Sequence, residues 1–136
     1  PLAAPPDRTT RPTSDRAREG LFSMLQSRLG TFAGLRVADL YAGTGALGLE
    51  ALSRGAASCL FVEKDRAALE VLKANVARLG AGPRAEVRAQ AVEHLPPPAA
   101  PFDVILLDPP YASGLAEAGL GRSAAWIAPG GWISLE

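Results

Sequence analysis

The sequence has few of the residues that build metal centres, disulfides or membrane spans. Its 136 residues include one cysteine, one histidine and one methionine. An internal disulfide is therefore excluded, and a Cys/His metal site is not expected. No apolar run approaches the roughly eighteen residues of a transmembrane helix, and no secretory signal pattern opens the chain. We expect a cytoplasmic protein without a metal or a membrane partner.

Net charge is also lacking, because 14 basic residues balance 14 acidic ones. Such a chain does not bind naked nucleic acid through bulk charge alone. The distribution is uneven, however, since residues 1–36 hold six arginines against three acidic residues. Arginine suits bidentate phosphate contacts. The pattern is compatible both with an RNA-facing N-terminal segment and with an ordinary solvated surface.

Apolar periodicity divides the chain into an arm and one domain. Residues 1–12 carry four prolines and no periodicity, which predicts an extended arm before a domain over 13–136. Within that domain, segments with a helical period alternate with apolar strand-like segments. Helices are predicted over 13–29, 45–55 and 65–80, and strands over 35–41, 58–63, 85–89, 101–108 and 130–136.

This alternation predicts the fold class. Strands separated by helices form right-handed crossovers, which give a mostly parallel sheet with helices on both faces. We therefore predict an α/β, Rossmann-like sandwich. Ligands of such sheets bind outside the carboxyl ends of the strands. In this chain those ends are 39–43, 63, 90 and 108–111.

A glycine-rich loop lies at the first of these ends. The residues from Gly43 to Gly48 match G-x-G-x-x-G between a predicted strand and a predicted helix, which is the context of a nucleoside-cofactor loop. Gly43 permits a tight turn, Gly45 lets the backbone approach a ligand, and Gly48 allows close helix packing. Glu63 follows Gly43 by 20 residues, at the end of the second strand. Its carboxylate can accept hydrogen bonds from ribose hydroxyls, so we predict a nucleoside-containing cofactor.

Asp39, four residues before Gly43, helps to identify the cofactor. Asp39 would repel the pyrophosphate of a dinucleotide, whereas S-adenosylmethionine carries an ammonium and a sulfonium. The acid therefore favours the methyl donor. An NAD-dependent oxidoreductase that uses the same loop is the alternative.

The segment from Asp108 to Tyr111 combines an acid, two prolines and an aromatic ring at a strand end. Methylation of an exocyclic base amine needs groups that accept the amine hydrogens and hold the nitrogen in line with the donor. Asp108 offers a carboxylate, and Pro109 and Pro110 fix the backbone and leave carbonyls free to accept. Tyr111 offers a ring on which a flipped base can stack. The segment predicts a base-methylating site.

Four motifs together resemble the bacterial RsmD family, the 16S ribosomal RNA guanine-N2 methyltransferases. They are "RPTSDRAREGLF", "DLYAGTGALGLEALSRGA", "FVEKD" and "FDVILLDPPY", and the resemblance covers essentially the whole chain. It implies a class I methyltransferase fold, S-adenosylmethionine as methyl donor and a guanine of small-subunit ribosomal RNA as acceptor. It also implies a monomer that acts on free 16S RNA or on the small ribosomal subunit. Relatives with Asn in place of Asp108 methylate adenine N6, so the acid points to guanine.

The resemblance also assigns the site residues. Asp39 and the loop glycines would line the methionine end, Glu63 the ribose and Gln90 the adenine. Arg11, Pro12, Thr13 and Arg16 match the family's N-terminal motif, and of these Arg11, Thr13 and Arg16 are expected to bind RNA. The expected catalytic residues are Asp108, Pro109, Pro110 and Tyr111. The expected cofactor-binding residues are Asp39, Tyr41, Gly43, Thr44, Gly45, Gly48, Glu63, Lys64, Gln90, Ala91 and Asp108.

Two departures from the family pattern qualify these expectations. Family members usually begin with a basic hairpin and end with two further strands, so the domain is expected to be truncated at both ends and to lack the last two strands. Gln90 replaces the more usual Asp or Asn. A noncatalytic RNA-binding module that keeps the pocket is a further alternative.

Overall fold

A sheet of five parallel strands forms the centre of the structure, a computed structural model that describes residues 15–109 and 121–135. The strands lie in the order β3-β2-β1-β4-β5, and every neighbouring pair is parallel. The strands are β1 (Arg36–Leu40), β2 (Ser58–Glu63), β3 (Ala85–Ala89), β4 (Phe102–Leu107) and β5 (Ile127–Leu135). Three α-helices lie wholly within the described residues, α1 (Asp15–Leu29), α2 (Ala46–Ser53) and α3 (Arg66–Arg78), and residues 121–123 are also α-helical. Three short 3-10 turns lie at Gly82–Arg84, Val92–His94 and Ala124–Trp126.

The strand order reverses beside β1. The chain runs outward from β1 to β2 and β3, then returns to the other side of β1 with β4 and β5. This reversal opens a crevice at the carboxyl ends of β1 and β4, where doubly wound sheets bind ligands. The predicted Rossmann-like α/β fold is confirmed.

The two faces of the sheet are covered differently. All three α-helices contribute to one core cluster, which includes Phe22 of α1, Leu52 of α2 and Leu72 of α3. In the described residues, the opposite face is covered by turn residues, among them Val92 and Trp126. α1, α2 and α3 therefore pack on one face, whereas the helical residues 121–123 adjoin the other, where Arg122 donates to the Leu95 carbonyl. The rest of the long β4 to β5 connection includes residues 110–120, which lie outside the described residues.

The last strand differs from its prediction. β5 begins at Ile127 instead of residue 130, and residues 129–131, a Pro-Gly-Gly sequence typical of a turn, belong to a bulge within the strand. Phe102 of β4 pairs with Ile127, and Val104 pairs with Trp132, so the bulged strand carries three extra residues at this point. A β-carbon on Gly131 would lie 2.7 Å from the Asp103 carbonyl oxygen. Gly130 and Gly131 therefore fit a bulge in close contact with β4. In the sequence alone, the same two glycines resemble a turn.

The other predicted elements are present, with ends displaced by up to two residues where they are described. β2 and β3 have the predicted bounds. Residues 1–14 lie outside the described residues, so the extended arm and the domain boundary at residue 13 stay predictions. No helix within residues 15–109 and 121–135 is long and apolar enough to span a membrane.

Candidate cofactor and methyl-transfer site

Three acidic residues meet at the carboxyl ends of β1, β2 and β4. Strand alternation puts Asp39 and Glu63 on the helix-covered face, and Asp108 continues that alternation beyond β4. Asp39 pairs with Phe61 and with Leu106. Glu63 and Asp108 each lie two residues beyond those partners, about 7 Å further along the strand direction. Glu63 and Asp108 therefore flank the crevice, and Asp39 lies one pleat below them.

The glycine loop leaves β1 through a sharp turn. Tyr41 has a φ of 61°, although it is not a glycine, and Gly43 and Gly45 follow with φ values of 60° and 89°. The Ala42 amide donates to the Val62 carbonyl at 2.9 Å, and the Gly45 amide donates to the Ala42 carbonyl at 2.9 Å. A non-glycine residue in this conformation is strained and persists only where its surroundings fix it. The loop is therefore a fixed turn anchored to β2.

Two glycines of the motif are required by packing. A β-carbon on Gly48 would lie 2.4 Å from Phe61 Cε1 and 2.7 Å from Cys59 Sγ, so glycine lets α2 approach β2, as predicted. A β-carbon on Gly45 would lie 2.4 Å from Leu72 Cδ1. Any side chain at position 45 would thus collide with α3. Glycine is needed here for packing and for its positive φ, in addition to any contact with a ligand.

Glu63 holds the loop through its carboxylate. Its Oε1 accepts a hydrogen bond from the Gly43 amide at 2.7 Å. Its Oε2 accepts from the Lys64 amide at 3.1 Å and from the Asp65 amide at 2.8 Å. Each carboxylate oxygen can accept two hydrogen bonds, so Oε1 keeps capacity for a ligand hydroxyl. Sequence reasoning predicted the ligand contact but not the bonds to the loop backbone.

Asp39 is buried beneath the loop and acts as a helix cap. It is 1% exposed, and its Oδ2 accepts a hydrogen bond from the Gly48 amide at 2.9 Å. The N-cap residue of α2, Gly45, provides no side-chain cap, so Asp39 satisfies an amide in the first turn of that helix. Direct contact between Asp39 and a cofactor stays a prediction.

The environment of Asp39 changes the electrostatic argument made from the sequence. Burial raises the pKa of this carboxyl well above its ordinary value, the hydrogen bond from Gly48 opposes the increase, and Asp108 and Glu63 add to it. A raised pKa favours the uncharged acid, which would repel a pyrophosphate less than a carboxylate does. Asp39 alone therefore separates the methyl donor from a dinucleotide less sharply than its position in the sequence indicated.

Asp108 and Pro109 are half-buried at the end of β4, next to the end of β1. Asp108 is close enough to Asp39 to influence the pKa of that carboxyl. The crevice thus combines a glycine loop on one strand end with a carboxylate on the neighbouring strand end. The other two predicted catalytic residues, Pro110 and Tyr111, lie outside the described residues.

The remaining predicted cofactor residues surround this crevice on several elements. Burial raises the pKa of the half-buried Tyr41, and the charge of Glu93 adds to the increase. The side chain of Lys64 is exposed, and its backbone amide contacts Glu63. Gln90 follows β3 and donates from Nε2 to the His94 carbonyl at 3.1 Å, and Ala91 next to it is half-buried. Their contacts with a cofactor stay predictions.

The predicted RNA-binding residues are only partly described. Arg16 is exposed in the first turn of α1, and Arg11, Pro12 and Thr13 lie outside the described residues. α1 is attached to α2 by an ion pair of Arg18 with Glu50 at 3.6 Å. The described part of the chain contains no group of three or more His, Cys, Asp or Glu residues that could hold a metal.

Asn75 of α3 is a site residue that sequence reasoning missed. It is fully buried, and its Nδ2 donates to the Thr44 carbonyl of the glycine loop at 3.0 Å. The available signal was an amide side chain three residues after Leu72 on the predicted apolar face of α3. A polar residue on a buried helix face requires partners.

A separate cavity of about 570 Å³ lies at the opposite end of the sheet. Its lining includes Arg36, Ser58 and Ala85, which are at or next to the amino ends of the first three strands. The Arg36 guanidinium donates to the carbonyls of Pro101 and Ala100. This cavity is therefore distinct from the crevice that contains the predicted site residues.

The chain is similar over its whole length to proteins of one family. A family model described as Conserved hypothetical protein 95 matches residues 1–136. Ribosomal RNA small subunit methyltransferase D of Escherichia coli strain K12 is 37% identical over 135 residues, which cover 99% of this chain and 65% of that relative. The chain thus spans less than two thirds of the length of this curated relative.

Solved structures agree with this assignment. A hypothetical protein of Thermus thermophilus is 38% identical with a TM-score of 0.84, over 99% of this chain and 78% of that chain. The T. thermophilus 16S rRNA N2 methyltransferase RsmC, in complex with AdoMet and guanosine, is 32% identical with a TM-score of 0.72. That match covers 90% of this chain and 34% of RsmC. The family model and the identity to its curated relatives agree with the four sequence motifs, and the chain therefore belongs to the RsmD family.

Proposed function

We propose that the chain carries the catalytic domain of an S-adenosylmethionine-dependent methyltransferase that modifies the N2 amine of a guanine in 16S ribosomal RNA. The observation that carries the proposal is the juxtaposition of two strand ends. β1 leads into the glycine loop held by Glu63, and the neighbouring β4 ends at Asp108. A methyl donor on the first and an amine acceptor on the second would be close enough to react.

The loop region fits a nucleoside cofactor without phosphates. Glu63 Oε1 has capacity to accept a ribose hydroxyl beside its bond to Gly43. Gln90 and Ala91 follow β3, the strand next to β2, and would contact the adenine ring. The nearby carboxyl groups suit the ammonium and sulfonium of S-adenosylmethionine. RsmC, which has the same fold and 32% identity, was solved with AdoMet and guanosine. When bound, the cofactor supplies an electrophilic methyl group.

Asp108 supports guanine as the acceptor. The Watson–Crick edge of guanine presents two neighbouring donors, the N1 hydrogen and the N2 amine. A carboxylate has two acceptor oxygens and can receive both hydrogens, whereas an asparagine amide would match the acceptor and donor of adenine. By accepting from the amine, Asp108 would orient the N2 lone pair toward the donor methyl. Pro109, Pro110 and Tyr111 follow in sequence and would supply a carbonyl acceptor and a stacking ring.

The substrate is proposed to be a folded RNA or a small ribosomal subunit. Because the net charge of the chain is zero, charge alone does not provide the affinity for RNA, and the folded shape of the substrate has to contribute to its recognition. Arg11, Thr13 and Arg16, near the start of this arginine-rich segment, would contact phosphates beside the target guanine. We propose a monomer that acts in the cytoplasm.

Two measurements test this proposal against its alternatives. S-adenosylhomocysteine should raise the melting temperature of the chain and NAD should not, because ligand binding stabilises only the state that binds. The opposite pattern would favour the oxidoreductase. Radiolabelled methyl groups should pass to unmodified small subunits, and Asp108→Ala should abolish the transfer. Cofactor binding without any transfer would favour a noncatalytic RNA-binding module.

A further inference from the structure

The position of Asn75 calls for a specific explanation. It lies in the interior of α3 and is fully buried. Asparagine forms helices less well than most residues, and an amide buried without hydrogen-bond partners is destabilising. A leucine would fill such a helix position more favourably. The partners of the amide group should therefore reveal what this asparagine does.

The amide of Asn75 joins a cation to the glycine loop. Arg78 Nη2 donates to Asn75 Oδ1 at 2.6 Å, and Asn75 Nδ2 donates to the Thr44 carbonyl at 3.0 Å. The guanidinium only donates and the carbonyl only accepts, so the opposite orientation of the amide would place donor against donor and acceptor against acceptor. Arg78 therefore fixes the direction in which Asn75 presents its donor.

The Thr44 carbonyl belongs to a peptide unit in the middle of the glycine loop. The other end of that planar unit is the Gly45 amide, which donates to the Ala42 carbonyl at 2.9 Å. Both ends of the Thr44–Gly45 peptide are thus held, one by the loop itself and the other by α3. Leu72 of the same helix occupies the space beside Gly45. The helix supports the loop by contact and by hydrogen bonding.

We infer that Asn75, oriented by Arg78, is a positioning residue that sets the affinity of the glycine loop for the adenosyl cofactor. Glycines at 43 and 45 would otherwise allow the peptide between them to rotate. Asn75 removes that freedom before the ligand arrives, so that ordering the loop no longer opposes binding. The inference rests on the proposed function, because it takes the loop as the cofactor site.

Three variants of the full chain separate positioning from general stability. Asn75→Asp keeps the size and the acceptor for Arg78 but turns a carboxylate oxygen toward the Thr44 carbonyl. Arg78→Met keeps the aliphatic stem and releases the amide, at a residue that is exposed to solvent. Val76→Ala is the matched control, since Val76 is a buried neighbour in α3 and packs in the core.

The readout is the dissociation constant of S-adenosylhomocysteine by isothermal titration calorimetry, together with the melting temperature of each unliganded variant. We expect Asn75→Asp to weaken binding about tenfold, in line with the loss of one buried hydrogen bond. Arg78→Met should weaken it by a smaller factor. Val76→Ala should lower the melting temperature and leave the dissociation constant unchanged at temperatures where all variants are folded. In methyl-transfer assays, Asn75→Asp should raise KM for the methyl donor more than it lowers kcat.

The outcomes distinguish this inference from the proposed function. A wild-type chain without affinity for S-adenosylhomocysteine would overturn both. Tight binding by the wild type, with Asn75→Asp and Arg78→Met binding equally well, would overturn the positioning role alone. Equal losses of affinity in Asn75→Asp and Val76→Ala would also overturn it, because the effect would then follow from reduced core stability.

Discussion

Glu63 should stabilise the protein even without a ligand, and Glu63→Gln tests this directly. The side chain is 7% exposed and its carboxylate accepts three backbone hydrogen bonds. Bonds to a charged group contribute about 1.5–3 kcal/mol each, against about 0.5–1.5 kcal/mol for neutral ones. Glutamine can keep the two bonds from Lys64 and Asp65 as neutral bonds. Its amide nitrogen then faces the Gly43 amide, which loses its acceptor. The expected destabilisation is about 3 kcal/mol.

The assay is urea unfolding of the unliganded wild type and variant, followed by circular dichroism. Glu70→Gln is the control, because Glu70 is exposed on α3 and its change should stay within about 0.5 kcal/mol. A loss below about 1 kcal/mol for Glu63→Gln would refute the reasoning, since a buried amide without an acceptor has a larger effect. In that case Glu63 would act only as a ligand contact.

Three further predictions concern the same site. Gly48→Ala should destabilise the chain by about 1–3 kcal/mol in urea unfolding, because its β-carbon would overlap Phe61 and Cys59; an unchanged midpoint would contradict the packing argument. Because the raised pKa of Asp39 makes the folded state retain a proton that the unfolded state releases, the stability contributed by this group falls as pH rises above the ordinary carboxyl range. Asp39→Asn should therefore gain stability relative to the wild type as the pH rises above about 4, the ordinary carboxyl range, in thermal melts, and a difference that is independent of pH would contradict the assignment. Asp108→Asn should lower the methyl-transfer rate by about 10²–10³ with S-adenosylhomocysteine affinity preserved; a rate within a few-fold of wild type would exclude the carboxylate from the reaction.

Much of the fold follows from local patterns. Short apolar segments such as residues 58–63 alternate with amphipathic segments such as residues 65–80, and that alternation allows few arrangements other than a parallel sheet. The spacing of 20 residues between Gly43 and Glu63 predicted that both border one ligand site, and the structure places Glu63 beside the loop. The 2.7 Å hydrogen bond that joins the two residues was not predicted. Predictions of this kind succeed because they depend on periodicity and on neighbouring strands.

The features that sequence reasoning missed depend on how far a residue lies below the end of the sheet and on contacts between elements that are distant in the sequence. Asp39 lies one pleat below Glu63 and Asp108, and this difference appears only when the register of β1 with both neighbours is known. Asn75 meets the Thr44 carbonyl across 31 residues, and no local pattern marks that contact. The bulge before Gly131 resembles a turn because both need glycine at an unusual backbone angle.

The most direct test of the proposed reaction is nucleoside mass spectrometry of 16S ribosomal RNA after unmodified small subunits are incubated with the chain and S-adenosylmethionine. The proposal predicts N2-methylguanosine in the wild-type reaction and its formation about 10²–10³ times more slowly with Asp108→Asn. Methylation of adenine N6 by the wild type, or formation of N2-methylguanosine by Asp108→Asn at a rate within a few-fold of the wild type, would contradict the role given to the carboxylate at the end of β4.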